Sequence, residues 1–416
     1  MSVYNFFSPS FFLGVLLCSL TTLFFSNGVS LSFIGCVSSG LFMFDSLSFY
    51  LVILVVFLGS FSLIGLRGYV SLTTISYLLC SLLFSGLSFC VNHAILFWCF
   101  YELSMLPLLL LIFKDSPYSE RFIAGWYFAV YLLVTSLPLI LSLLYLSFKN
   151  SSLLFSEWCV NSASISVYVC LSFIFFTKVP LGPFHTWLPI VHAEATSIVS
   201  IFLSGYIMKL GLLGVFRCSA FIFNTSLFFY LFFCFVLSIC FILTASAELD
   251  GKRWLAFLSL SHIVVSFLAF YSCGWDTLSL SFIFCLGHGL SAGLVFGVLW
   301  LFYDISGSRN WLLLKEGVGG SAASMSVVMS MLSLCSFPPT LQFFCEVNLL
   351  SESVYSYIFI VFWSLYLFFG GLIPLILCGH SLIRLEATES SVFNSSVFFL
   401  YFFFLGLWCY LGIFIF

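Results

Sequence analysis

Apolar runs of about 20 residues follow one another along almost the whole chain, separated by short polar connectors. Such a run makes a helix long enough to cross the hydrocarbon core of a bilayer. Hydrophobic residues make up 62% of the sequence and charged residues 6%, too little polar surface to cover a core in water. In lipid every backbone N–H and C=O must find a partner inside the protein, so only helices and closed barrels span. A membrane barrel would alternate polar and apolar residues over segments of about ten residues, and no such alternation is present. The expected fold class is therefore all-α, a polytopic membrane protein forming a single integral membrane domain over 1–416.

Turn and charge signals divide the chain into thirteen helices, at roughly 10–26, 45–66, 71–90, 93–113, 122–147, 163–189, 197–216, 224–246, 254–272, 277–303, 321–350, 354–379 and 394–416. A shorter stretch at 31–44, rich in Ser and Gly, is a candidate fourteenth. With thirteen, connectors on one side carry Arg67, Lys114, Arg121, Lys252, Arg253, Arg309, Lys315 and Arg384, while the other side carries Lys149 and Arg217. An excess of Lys and Arg marks the cytoplasmic or matrix side. Met1 to Ser10 contain neither, so no secretory signal or transit peptide is expected.

Two segments cannot be simple spanning helices. Pro180, Pro183 and Pro189 follow Lys178, and Pro338-Pro339 precede Glu346. Proline removes a ladder hydrogen bond and clashes with the preceding turn. Broken backbone at membrane depth is tolerated only inside protein or along a wet cavity. Two such segments in corresponding halves are the pattern of an inverted-repeat transporter, with repeats expected at about 71–216 and 224–379.

Glu102, Lys178, Lys209 and Glu346 each lie inside an apolar segment. A charge at mid-bilayer costs ~2.5–3.5 kcal/mol on insertion scales and usually marks an ion or proton path. The chain holds 12 basic and 15 acidic residues, so four at such depth is a large share. The structural alternative is that each is merely hydrogen-bonded within the bundle. A carboxyl whose basic partner can move is, by contrast, a natural protonation switch. His288, between Gly287 and Gly289, is either a hydrogen-bonded filler or a relay, since imidazole both donates and accepts. His185 and His192 read as support or a side branch, with Trp187 as an interfacial anchor, and His262 belongs with them. Asp250-Gly-Lys252-Arg253 reads as a topology signal, Glu194 as a loop or helix-start carboxylate, and Asp45 as a cap on the helix that follows.

No cofactor or metal set is expected. The 16 cysteines are scattered without any C-x-x-C, which argues against iron–sulfur or zinc ligation. Gly317-Val-Gly-Gly-Ser follows no strand and is no dinucleotide site. A net charge of −3 gives no reason to expect a nucleic-acid partner.

Lys178-Val-Pro-Leu-Gly-Pro-Phe-His185-Thr-Trp-Leu-Pro189 with Val-His192-Ala-Glu194-Ala resembles a signature of the antiporter-like subunits of respiratory complex I. Phe100-Tyr-Glu102 with Pro107 downstream, Met208-Lys209-Leu-Gly, Asp250-Gly-Lys252-Arg253 with Ser261-His262, and Gly287-His288-Gly-Leu-Ser follow in that family's order. The likeness covers about residues 45–380. Thr196, Ile263 and Cys345 depart from it, standing where the family usually has Pro, Met and Gly. The beginning is short for the family, which fits thirteen helices rather than its usual fourteen. The resemblance implies a proton path through Glu102, Lys178, Lys209, His288 and Glu346, with His185, His192 and His262 in support. It also implies a multi-pass place in the mitochondrial inner membrane, among other membrane-arm subunits and lipids. NADH, FMN, iron–sulfur clusters and ubiquinone would be bound elsewhere in the complex. A stand-alone cation/proton antiporter subunit and a non-pumping scaffold subunit are the alternative readings.

Overall fold

The computed structural model of the protein describes residues 37–65, 70–159, 162–223, 227–272, 274, 278–315, 321–383 and 396–410. A small hairpin of β1 (Val37–Ser39) and β2 (Phe42–Phe44) leads into the helices. The first half comprises α1 (Ser46–Gly65), α2 (Leu72–Cys90), α3 (Ala94–Asp115), α4 (Arg121–Asn150), α5 (Ile165–Lys178), α6 (Trp187–Glu194), α7 (Ser197–Phe202) and α8 (Met208–Ser219). The second comprises α9 (Phe228–Ala247), α10 (Gly251–Ser272), α11 (Ser279–Ser306), α12 (Trp311–Leu314), α13 (Ser321–Leu334), α14 (Leu341–Ser353), α15 (Tyr357–Leu382) and α16 (Ser396–Tyr410).

Among the described residues nine helical spans are long and apolar enough to cross a membrane, and three shorter apolar helices accompany them. These correspond to twelve of the thirteen expected segments; the one at 10–26 lies outside the described residues. The candidate helix at 31–44 is not one over its described part. Residues 37–44 fold back at Gly40, whose φ of +53° suits glycine and stops a helix. Asn92 N then donates to Leu41 O at 2.9 Å, fastening the hairpin to the start of α3.

The connectors gather into two ends. At one, Thr74 donates to Asp115 and Arg309 pairs with Glu194. At the other, Arg217 pairs with Asp45, and Asn92 donates to Ser156. This places Lys114, Arg121, Lys252 and Arg309 at one end and Arg217 at the opposite one, as the charge count required. Arg67 and Arg384 lie outside the described residues.

Burial separates the bundle into an axis and a rim. The stretches Ser197–Val215 and, within α11, Leu280–Leu299 are buried at every residue. By contrast α4 exposes Trp126, Leu133, Leu141 and Phe148, and α15 exposes Val361, Phe368 and Ile376. Such apolar outward faces are what hydrocarbon demands of a solvent-facing surface. Close approach at the axis relies on glycine: a Cβ on Gly211 would lie 2.5 Å from Val179 Cγ2 and 3.2 Å from the Phe175 carbonyl oxygen.

Both proline-bearing segments are broken. The expected helix at 163–189 is two, α5 and α6, and the second runs on to Glu194. Pro189 sits in the first turn of α6, where no N–H is needed. Trp187, expected at the interface, is instead buried inside the break. Its indole N–H donates at 2.9 Å to the Thr177 carbonyl, which Leu181 N forgoes by bonding Phe176 O. The second break falls between Leu334 and Leu341, and the helix after it runs to Ser353 rather than 350.

Candidate proton path

Lys178 is the last residue of α5, so the break places its ammonium deep in the first half. Nζ lies 3.7 Å from Glu102 Oε1 of α3, with the two side chains 4% and 12% exposed. It donates to the Leu132 carbonyl of α4 at 3.1 Å and lies 5.6 Å from the centre of the Tyr101 ring. A carboxylate, a carbonyl and an aromatic face thus share one cation. Beside it is a cavity of about 10 Å³, lined by Met105, Tyr131 and Trp187 among others. That is about the space one water requires.

Lys209 is fully buried in the next helix. Ahead of it, Leu203–Ile207 form a π turn, whose wider i→i+5 spacing disturbs the α-helical ladder. The ammonium donates to Ser204 O, inside that turn, at 2.6 Å. Gly211 brings this helix against α5 so closely that an added Cβ would sit 3.4 Å from Lys178 Cβ. The π turn packs on α11 next to His288: a Cβ on Gly289 would lie 3.1 Å from the Gly205 carbonyl oxygen.

The imidazoles of His192, His262 and His288 are buried. His262 and His288 stack with centroids 5.1 Å apart, and His262 Nδ1 bonds Leu258 O at 2.7 Å. Neither ring nitrogen of His288 or of His192 has a hydrogen-bond partner among the described residues. Polar atoms so placed are ones that water can satisfy. His192 stacks on Phe296 at 5.0 Å.

Glu346 sits in α14, past the second break. Ser336, from the break itself, donates to Oε1 at 2.8 Å, and Gln342, one turn earlier, at 3.1 Å. Ser291 donates to the Gln342 side-chain oxygen at 3.4 Å and to His288 O at 3.0 Å. Tyr366 packs against the histidine pair, its ring edge-on to that of His262 at 5.9 Å.

The expected residues therefore fall into two groups. Glu102 and Lys178 form one; Lys209, His192, His262, His288 and Glu346 form the other, and the contact of α5 with α8 joins them. His185 belongs to neither: it is half-buried in the first break and lies 4.7 Å from the Phe241 ring. Ser291, Ser336, Gln342 and Tyr366 were missed by sequence reasoning. Gln342 carried a signal, standing four residues before Glu346 on one helical face. Glu194 ends α6 rather than starting a helix, and its carboxylate pairs with Arg309 at 3.2 Å. Asp45 caps α1 as expected, accepting from Ser48 N at 2.9 Å, and also pairs with Arg217 at 2.7 Å. Burial alone would raise its pKa; the Arg217 charge, with bonds from Arg217 and Ser48, holds the carboxyl below the ordinary value. Among the described residues no group of three or more His, Cys, Asp or Glu could hold a metal ion.

Residues 91–374 match the family described as NADH:quinone oxidoreductase/Mrp antiporter, TM, and the chain belongs to that family. Among named relatives, NADH-ubiquinone oxidoreductase chain 4 of Ceratitis capitata is 29% identical over 310 residues, covering 72% of this chain and 69% of that one. The protein of the same name from Locusta migratoria is 30% identical over 303 residues, covering 68% and 66%. The fold is that of a chain of respiratory complex I from Thermus thermophilus with bound NADH, at a TM-score of 0.82 and 19% identity over 96% of this chain and 90% of that one. A chain of the Mrp complex from a Dietzia species matches at a TM-score of 0.74 and 15% identity, covering 92% and 76%.

Proposed function

We propose that this chain is a proton-translocating membrane-arm subunit of respiratory complex I, the counterpart of NADH-ubiquinone oxidoreductase chain 4 in the mitochondrial inner membrane. One observation carries the reading: buried ionisable groups run from Glu102 through Lys178, Lys209, His192, His262 and His288 to Glu346, with polar neighbours between them. The basic connectors face the matrix.

The residues divide the work. Glu102 and Lys178 form a pair whose opening and closing changes how firmly Lys178 keeps its proton, because weakly screened charges feel one another over several ångströms. Lys209 receives the proton on the far side of the α5–α8 contact. His288 and His262 pass it on through water, and Glu346 holds it at the end of the second half. His192 supports the path from α6, just past the first break. The segments at about 71–216 and 224–379 are the two repeats, each with one broken helix beside a charged residue. The chain binds no cofactor; NADH, FMN, iron–sulfur clusters and ubiquinone act elsewhere in the complex, and neighbouring antiporter-like subunits extend the axis.

Complex carrying Lys178→Met, reconstituted in proteoliposomes, should oxidise NADH slowly and translocate few protons. Normal turnover with normal proton stoichiometry removes Lys178 from the path. The shared fold with the Mrp chain favours a second reading, a stand-alone cation/proton antiporter subunit. Co-purification with an NADH-oxidising assembly decides between them.

A further inference from the structure

Three side chains, two from connectors and one from the first turn of α10, close on the basic-side end of α6. Ser116, between α3 and α4, donates its hydroxyl to the Glu194 carbonyl. Lys252, in the first turn of α10, donates Nζ to Ala195 O at 2.8 Å. Arg309, between α11 and α12, donates Nη1 to Ala193 O and to Glu194 Oε1, the latter at 3.2 Å. Its Nε pairs with Asp250 at 3.4 Å. The Tyr118 ring lies against both cations, 4.2 Å from the Arg309 guanidinium carbon and 5.1 Å from Lys252 Nζ.

The last carbonyls of any helix lack an intrahelical partner and carry the negative end of its dipole. A helix of 8 residues is also too short to hold itself. Two cations and a hydroxyl on three successive carbonyls therefore make a built cap, and hydrogen bonds from charged donors are the stronger kind. The cap draws on both halves: Ser116 belongs to the first, Lys252 and Arg309 to the second.

The group at stake is His192, two residues before the end of α6. Its ring is buried, has no hydrogen bond on either nitrogen among the described residues, and stacks on Phe296 of α11. A ring without polar partners of its own is aimed by the backbone that carries it. We propose that Ser116, Lys252 and Arg309 are positioning residues that fix the end of α6 and thereby aim His192 into the path beside Lys209. This rests on the proton-path reading and names what holds one of its groups.

The test uses the assembled complex, with two readouts per variant: amide hydrogen exchange over residues 187–196, and protons translocated per NADH oxidised. Lys252→Met and Arg309→Met should each raise exchange in that segment about tenfold or more and lower the ratio, while Lys252→Arg, keeping charge and donor, restores both. A purely structural role would lower the yield of complex and leave its ratio unchanged. Exchange over 187–196, or the ratio per assembled complex, remaining at the wild-type value in both Met variants overturns the proposal, provided Lys178→Met lowers the ratio. Were Lys178→Met normal too, the function reading fails instead, and exchange alone still decides whether the cap positions α6. If Lys252→Met does not assemble, Ser116→Ala decides, because it removes one hydroxyl only; unchanged exchange there overturns the proposal.

Discussion

Glu102 and Lys178 are close enough, and dry enough, to act as a unit rather than as two sites, and a double-mutant cycle measures this. At 3.7 Å two opposite charges attract by about 4 kcal/mol at an effective dielectric of 20, roughly three factors of ten. Glu102→Gln leaves the Lys178 ammonium buried without a counter-charge, with the Leu132 carbonyl, the Tyr101 ring and a neutral amide beside it, and Lys178→Met leaves a carboxylate with no cation beside it. Orphaning one member of a buried pair costs about 3–5 kcal/mol, whereas removing both leaves no uncompensated charge. Each single variant should therefore lose most of its proton translocation, and the double variant should lose no more than the worse single one. The assay is quenching of a pH-sensitive dye in proteoliposomes driven by NADH, normalised to assembled complex. If the loss in the double variant is the product of the two single losses, the residues are independent and the pair is not the working unit.

Glu346→Gln keeps an oxygen for Ser336 and Gln342, so assembly on native gels should match wild type while translocation falls; equal loss of both would make the residue structural. Gly211→Ala should destabilise the α5–α8 contact by about 1–3 kcal/mol, because its methyl meets Val179 Cγ2 and the Phe175 carbonyl, while Gly86→Ala, with nothing within 4 Å, should be silent in the same thermal-inactivation assay. Asp45→Asn should lower the inactivation temperature by the loss of its Arg217 partner. A depressed carboxyl contributes stability above its ordinary value of 3.8, lost as pH falls through the lower folded value, so the gap to wild type should persist at neutral pH and close only in stronger acid. A gap that closes near pH 6 would assign the effect to another group.

Segments of apolar length were readable because bilayer thickness sets a minimum run, and twelve of the thirteen expected spans are helical in the described residues. Breaks were readable because Pro180, Pro183 and Pro338-Pro339 cannot sustain a ladder. What fills the first one was not: Trp187 looked like an interfacial anchor because an indole suits a headgroup region equally well, and only tertiary folding brings the Thr177 carbonyl to it. The stretch at 31–44 stood only as a candidate fourteenth helix, and the hairpin at Val37–Phe44 within it was not legible because strands of three residues carry no period. Glu102, Lys178, Lys209 and Glu346 stood out by the cost of their burial, whereas Tyr366 and Ser336 carry no such penalty and cannot be told from ordinary residues of an apolar helix. The cap on α6 was hidden for another reason: its donors, Ser116, Lys252 and Arg309, are far apart along the chain, and each alone is an ordinary residue in or beside a connector.

The widened turn at Leu203–Ile207 accommodates one residue beyond what regular winding would need. Each residue of a regular helix advances the face by about 100°. Deleting any one of these five would let the coil rewind evenly, and the surplus rotation would swing the ammonium of Lys209 away from its present place over the Ser204 carbonyl. A loss of three nucleotides could thus leave the protein inserted, apolar and of normal span, yet mute as a conductor.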